Sequence, residues 1–215
     1  MPMSISSRPI IVAAVALGAA AFVALSLGSE IRIARDLETP RGQRTLVGRM
    51  LEDGPPALAA DVLRRLAEGG DPQAQYWLGH MLENGIGTPR NVSAAVDWYE
   101  KARSRSADAS LRVGEMMLRG DTIPPDYAKA YERLRAAATQ GSADAAKDLG
   151  DMNHLGLGRP VDDAEAYAWY EVALLGGAWP AVERRDALAR HLTPAQQAEA
   201  QNRARELVAS LHLPR

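Results

Sequence analysis

Cysteine is absent from the 215 residues, which excludes disulfides, thiolate metal sites and a lipidated cysteine anchor. Aromatic residues make up only 5% of the chain, with a single Phe, so a core has to be built from small side chains packed closely. Alanine supplies much of the 47% hydrophobic content, and alanine both favours helix and lets helix axes approach. Alternating Val, Ile and Thr, the pattern of half-buried strands, is not found. Neither sign of charge prevails, the formal net being −2, so no electrostatic footprint for nucleic acid is present. His80, His154, His191 and His212 share no metal-ligand spacing, and no His-Glu-x-x-His or clustered carboxylate motif occurs. No serine sits in a nucleophile-elbow context. These absences lead to the expectation of no metal, no cofactor and no catalysis.

Long apolar runs are confined to one place. Ile10 to Leu27 is eighteen residues without a charge, about 27 Å as a helix against a hydrocarbon core of about 30 Å. It exceeds the usual length of a cleaved signal core, so residues 1–28 read as a single N-terminal transmembrane anchor. Arg32, Arg35, Arg41 and Arg44 follow it, which on a count of positive charge points the remainder to the cytoplasm. A short tail before a long apolar segment is also how exported proteins begin, and long domains translocate largely regardless of charge. The reading adopted is a bacterial inner-membrane, single-pass protein with its main domain in the periplasm, the cytoplasmic orientation staying open. Residues 29–56, with Thr39-Pro40 and Gly54-Pro55-Pro56, read as a juxtamembrane stalk.

What the chain has in quantity is repetition. Asn84–Ala102 and Leu155–Ala173 agree at Gly85/Gly156, Gly87/Gly158, Pro89/Pro160, Ala95/Ala166, Trp98/Trp169, Tyr99/Tyr170, Glu100/Glu171 and Ala102/Ala173. Between them lies a third, divergent copy marked by Gly114, Gly120, Asp126, Ala130 and Ala137. Each copy reads as a helical hairpin. Ala74, Leu78, Met81; Ala109, Val113, Met116; and Ala145, Leu149, Met152 fall on one helical face each. Asp71, Ser106 and Ser142 are expected N-caps for first helices, and Asn91, Asp126 and Asp162 for second helices, with Glu165 able to close a capping box. Gly85, Gly120 and Gly156 are expected left-handed C-terminal caps, which explains "GIG" and "GLG" better than phosphate loops do. The second helices pair Ala95 and Ala102 with Trp98 and Tyr99, so that a ring from one copy can lie over a neighbour's alanines. The divergent copy has Arg133 and Leu134 at the aromatic pair. One hairpin cannot bury its own apolar stripe, whereas a row of them can.

At these residues the chain resembles the Sel-1-like repeat family, a branch of the tetratricopeptide-like helical solenoids, over about residues 57–178. The shared pattern runs through Ala74, Leu78, Gly79, Gly85, Gly87, Asn91, Ala95, Trp98, Tyr99 and Ala102, and again through Ala145, Leu149, Gly150, Gly156, Gly158, Asp162, Ala166, Trp169, Tyr170 and Ala173. The middle copy departs, with Thr122 for the second glycine. The expected fold is all-α, a right-handed α-α superhelix behind the transmembrane anchor. Its parts are a capping helix at 57–70, repeats at 71–106, 107–142 and 143–178, and capping helices at 179–215. "PALAADVLRRLAEGG" reads as a lone second helix, aligning Ala60, Leu63 and Ala67 with Ala95, Trp98 and Ala102, and Thr193-Pro194 with Gln196 as a capping box for the last helix.

The resemblance implies that first helices line a concave groove. The stripe expected there is Trp77, His80 and Asn84; Arg112, Glu115 and Arg119; Asp148, Asp151 and Leu155, passing from aromatic-polar to basic to acidic, with Trp77 as an exposed anchor. A solvated charged face competes with this reading. The function expected is a membrane-tethered scaffold binding another protein or peptide, one form of which is an accessory or assembly subunit of a membrane complex. A cell-envelope hydrolase is the alternative, because such activity has been assigned within the family to cysteine-paired members.

Overall fold

The computed structural model describes residues 56–120 and 123–211, and the anchor expected at 1–28 and the stalk read before Pro56 lie outside them. The described residues form nine α-helices and no strand: α1 Pro56–Glu68, α2 Pro72–Asn84, α3 Val92–Ala102, α4 Ala107–Arg119, α5 Tyr127–Thr139, α6 Ala143–Leu155, α7 Asp163–Leu175, α8 Ala181–Ala189 and α9 Pro194–Ser210. No helix among the described residues is long and apolar enough to cross a membrane. The chain divides into two compact units, Met1–Trp98 and Tyr99–Arg215.

Capping sets the helix boundaries. The side chains of Asp71, Ser106 and Ser142 accept from the amides of Ala74, Ala109 and Ala145, opening α2, α4 and α6. Asn91, Asp126 and Asp162 do the same for α3, α5 and α7 through the amides of Ala94, Lys129 and Glu165. Each such bond satisfies an amide the helix leaves orphaned and is worth about 1 kcal/mol. Gly85, Gly120 and Gly156 end the first helices at φ near +70°, a conformation that strains any residue with a Cβ. Glu165 does not close a capping box on α7. Its carboxylate instead accepts from the Trp169 indole at 3.1 Å. Thr193 and Gln196 do form one on α9, with Pro194 at the first helical position.

Within the second unit α4 pairs with α5 and α6 with α7, and α6 also packs on the preceding α5. Stacking of one hairpin on the next is thereby realised between repeats two and three. The interior is mostly alanine: Ala130, Ala137, Ala138, Ala145, Ala146, Ala166 and Ala173 are all fully buried beside Leu134, Leu149, Met152, Trp169 and Tyr170.

The largest side chains do not rest on alanines alone. An added Cβ on Gly150 would lie 2.4 Å from Tyr170 Cε1, and one on Gly114 would lie 2.7 Å from Leu134 Cγ. Tyr170 and Leu134 therefore cover the glycine in the first helix of their own hairpin, letting the paired axes come close. At the far end α7 is covered by α8 and α9, with Ala200 and Ala204 buried on α9 and Arg203 reaching back to Asp162 at 2.7 Å.

Candidate functional site

In the first unit, Trp77 and His80 lie one turn apart on α2. The Trp77 ring is edge-on to Tyr76 and to His80, with centroids 5.4 and 5.6 Å apart. Trp77 is half-buried rather than exposed, and Asn84, at the helix end, turns its Nδ2 back to the His80 carbonyl at 2.8 Å. The three residues thus share a face, as spacings of three and four require.

In the second unit the expected residues form two sets of ion pairs, one on α4 and one on α6. On α4, Glu115 accepts from Arg112 Nη1 at 2.7 Å and lies 3.8 Å from Arg119 Nη2. On α6, the Lys147 ammonium bonds Asp148 and sits 3.5 Å from Asp151. Asp151 also accepts from the Tyr170 hydroxyl at 2.8 Å and from Arg184 of α8. Leu155, one turn further on, is 62% exposed.

Burial shifts the titration of this cluster. It pushes the Asp148 carboxyl above the usual carboxylate range, and the charges of Glu115 and Asp151 push the same way, against the hydrogen bond from Lys147. Burial also works against the Lys147 charge, but two carboxylates outweigh it and hold the ammonium above its ordinary value. One ammonium serving two carboxylates leaves Asp148 as the undercompensated member of the group. Tyr170 is pushed far up, by burial first and then by accepting neighbour Asp151, so its hydroxyl stays a donor. The charges alternate and mostly satisfy one another: Arg112, Arg119, Lys147 and Arg184 against Glu115, Asp148 and Asp151. Paired surface charges of this kind can exchange partners with the polar groups of a peptide, contributing specificity more than affinity.

Sequence spacing places Lys147 four residues before Asp151, a helical pair visible in advance. Tyr170 and Arg184 come from other helices, and no local signal ties either to Asp151. Among the described residues no group of three or more His, Asp or Glu is arranged to hold a metal ion.

Tandem hairpins with capped, glycine-closed first helices and glycine-seated second helices define an α-helical repeat protein. The Sel1 repeat model matches residues 72–106, 107–142 and 143–177. The chain belongs to the Sel1 repeat family. A Sel1 repeat protein from Oxalobacter formigenes superposes with a TM-score of 0.67 at 23% identity, over 78% of this chain and 73% of that one, a likeness of fold. A protective antigen present in uropathogenic Escherichia coli strains, described as displaying an SLR fold, gives a TM-score of 0.49 at 23% identity, over 78% and 45% of the two chains. A chitin synthase regulator from Malassezia restricta is 49% identical over 39 residues, 18% of this chain. The chain spans only 3% of that relative's length.

Proposed function

We propose that this protein is a non-catalytic scaffold that binds another protein or peptide through the face formed by its first helices, wound as a right-handed superhelix. The observation that supports it is the placement of charge on that face. Arg112, Glu115 and Arg119 pair along α4, Asp148 pairs with Lys147 on α6, and Asp151 bonds across helices to Tyr170 and Arg184, all beside the core stripes of Val113, Met116, Leu149 and Met152 and, apart from the exposed Arg119, half-buried. Side chains already ordered in this way lose little rotamer freedom on binding a partner. In the other unit, Trp77, His80 and Asn84 are the residues at the corresponding repeat positions on α2. No observation favours the hydrolase alternative.

Tethering of this scaffold to the bacterial inner membrane, with the repeats in the periplasm and a membrane-complex subunit as partner, rests on the apolar run Ile10–Leu27 alone. Retention of the chain in the membrane pellet after alkaline carbonate washing, together with protease access from the periplasmic side, tests it.

The face itself is tested by replacing Arg112, Glu115 and Arg119 together with alanine and, separately, Asp97, Lys101 and Glu132 of the second helices. Photo-crosslinkers at Leu155 and at Glu132 identify which side a partner touches. Loss of crosslinking from Leu155 in the first variant alone, at unchanged helicity, is the expected result. Equal crosslinking from both positions, insensitive to the first variant, refutes the assignment.

A further inference from the structure

Away from the first-helix face, the second unit carries a cavity of about 350 Å³ in the crease where α9 packs on α7, lined by Tyr167, Glu171, Gln201, Ala204 and Arg205. Ala204, 7% exposed, brings a single methyl to a contact whose other side chains are long, and that shortfall leaves the space. Tyr167 and Glu171 stand one turn apart on α7, and Gln201 and Arg205 one turn apart on α9, as spacings of four require. Two short rows of polar side chains thus border an alanine. Gln201 and Arg205 are exposed while Tyr167 and Glu171 are half-buried, so the cavity opens to solvent past the α9 side chains. Its size is at the small end of the range of ligand sites, enough for one side chain with its peptide groups.

The charges around this cavity do not balance. Of the two arginines on α9, Arg203 is fully matched: its Nη1 bonds Asp162 at 2.7 Å, its Nη2 bonds Glu199 at 2.7 Å, and Glu165 lies at 3.9 Å. Arg205 donates only to neutral groups, through Nη2 to the Asn202 side-chain oxygen and through Nε to the Gln201 carbonyl at 3.4 Å. Among the described residues no carboxylate lies within ion-pair distance of it. The cause is in the sequence. One turn before Arg203 stands Glu199, and one turn before Arg205 stands the neutral Gln201. The carboxylate in the cavity wall, Glu171, is already engaged by Arg185 Nη1 at 3.1 Å. Burial, and after it the charge of Glu171, pushes the Tyr167 phenol up, so its hydroxyl keeps its proton and bonds Glu171 as well. What the wall still offers is donors: the remaining N–H groups of Arg205 and the amide of Gln201, which also hydrogen-bonds Tyr167.

We propose that the crease between α7 and α9 is a second docking site and that it takes the carboxylate of an acidic side chain from a partner polypeptide. Its two oxygens pair with the Arg205 guanidinium in the forked geometry that this group favours. The Gln201 amide supplies a further donor, and the methylenes of the incoming side chain rest against Ala204 and the Tyr167 ring. A single uncompensated guanidinium calls for a single negative charge. A phosphate dianion would bring about two to a wall that already holds Glu171, so the carboxylate is the better match. The site does not depend on the first-helix face, since neither α4 nor α6 lines it.

The tripeptide Gly-Glu-Gly, blocked at both ends, is titrated into the isotopically labelled full-length chain and read by NMR, with blocked Gly-Gln-Gly, acetate and inorganic phosphate as separate arms. The expected result is a saturable shift of the Arg205 Nε–H and Gln201 side-chain amide signals. Affinity for the glutamate peptide is expected to exceed that for the glutamine peptide by about 5-fold, the discrimination an exposed ion pair supplies. Read at Gln201, Arg205→Gln erases that preference and Arg205→Lys keeps part of it. Arg135→Gln, at an exposed arginine of α5, leaves it whole. Arg205 is itself exposed, so its replacement is expected to leave helicity unchanged, which separates lost binding from lost fold. Equal affinity for the two peptides overturns the proposal, as does a preference that survives Arg205→Gln or the lack of any saturable shift. Tighter binding of phosphate, or acetate bound as tightly as the glutamate peptide, overturns the choice of occupant.

Discussion

Gly150 and Tyr170 meet more closely than any side chain could allow, and the tightness differs between repeats in a way that can be measured. An added methyl on Gly150 meets Cε1 and Cδ1 of a rigid ring at 2.4 and 2.5 Å, while one on Gly114 meets the Leu134 side-chain atoms Cγ and Cδ2 at 2.7 and 2.8 Å. A ring held at 2% exposure, its hydroxyl tied to Asp151, cannot step aside, whereas a leucine can change rotamer. Gly150→Ala is therefore expected to destabilise by about 2–3 kcal/mol despite the better helix propensity of alanine. Gly114→Ala is expected to cost less than about 1 kcal/mol on the same grounds. Adding Tyr170→Leu to Gly150→Ala recovers part of the loss in a double-mutant cycle read by urea denaturation. Equal costs at the two glycines, or no coupling to Tyr170, would remove the seating of the ring as the reason for glycine there.

Each helix is punctuated by residues whose roles are local, so nearly all of that punctuation was legible from sequence: six side-chain N-caps, three left-handed glycine ends and the box at Thr193 occur where residue type and spacing place them. Glu165 shows where local reasoning stops, because a buried Trp169 indole one turn away needs an acceptor more than the start of α7 needs a second cap. Asp162 combines a local and a distant role. Burial would raise its carboxyl, yet the Glu165 amide and the Arg203 guanidinium hold it below the usual carboxylate range. A depressed folded value means a contribution present above the unfolded value of about 3.9 and lost as pH falls through the folded one. Asp162→Asn keeps the cap without the ionisation. Its stability deficit is expected to be present at pH 6 and to shrink as pH falls from about 4 through the depressed folded value, below which both side chains are neutral. A deficit equal at pH 6 and pH 2.5 would show that the charge, and with it the clasp from α9, contributes nothing.

At the scale of the molecule, the hairpin array follows from a repeat that can be read by eye, whereas its ion-pair network cannot, because Asp151 collects Tyr170 and Arg184 from helices whose distance is set only by stacking. The face of α1 shows the same limit. The Asp71 amide bonds the Leu66 carbonyl as Ser142 bonds Ala137 and Ala178 bonds Ala173, which puts Leu63 at the place of Leu134 and Tyr170, one residue off the alignment with Trp98 expected from sequence. Stacking also governs how damage spreads. In a row where each hairpin leans on the next, a lesion at the end weakens its neighbour most and fades with distance. Helix α9 packs on α7 through Ala200, fully buried, so Ala200→Glu forces an unpaired carboxylate into that contact and is expected to undock the helix at a cost above about 2 kcal/mol. Amide exchange should then accelerate strongly in α9, measurably in α7 and little in α4 and α5, whose mutual packing α9 does not touch. Uniform acceleration across α4 to α9 would mean that the second unit unfolds as a single block, and that nearest-neighbour stacking is not what holds it together.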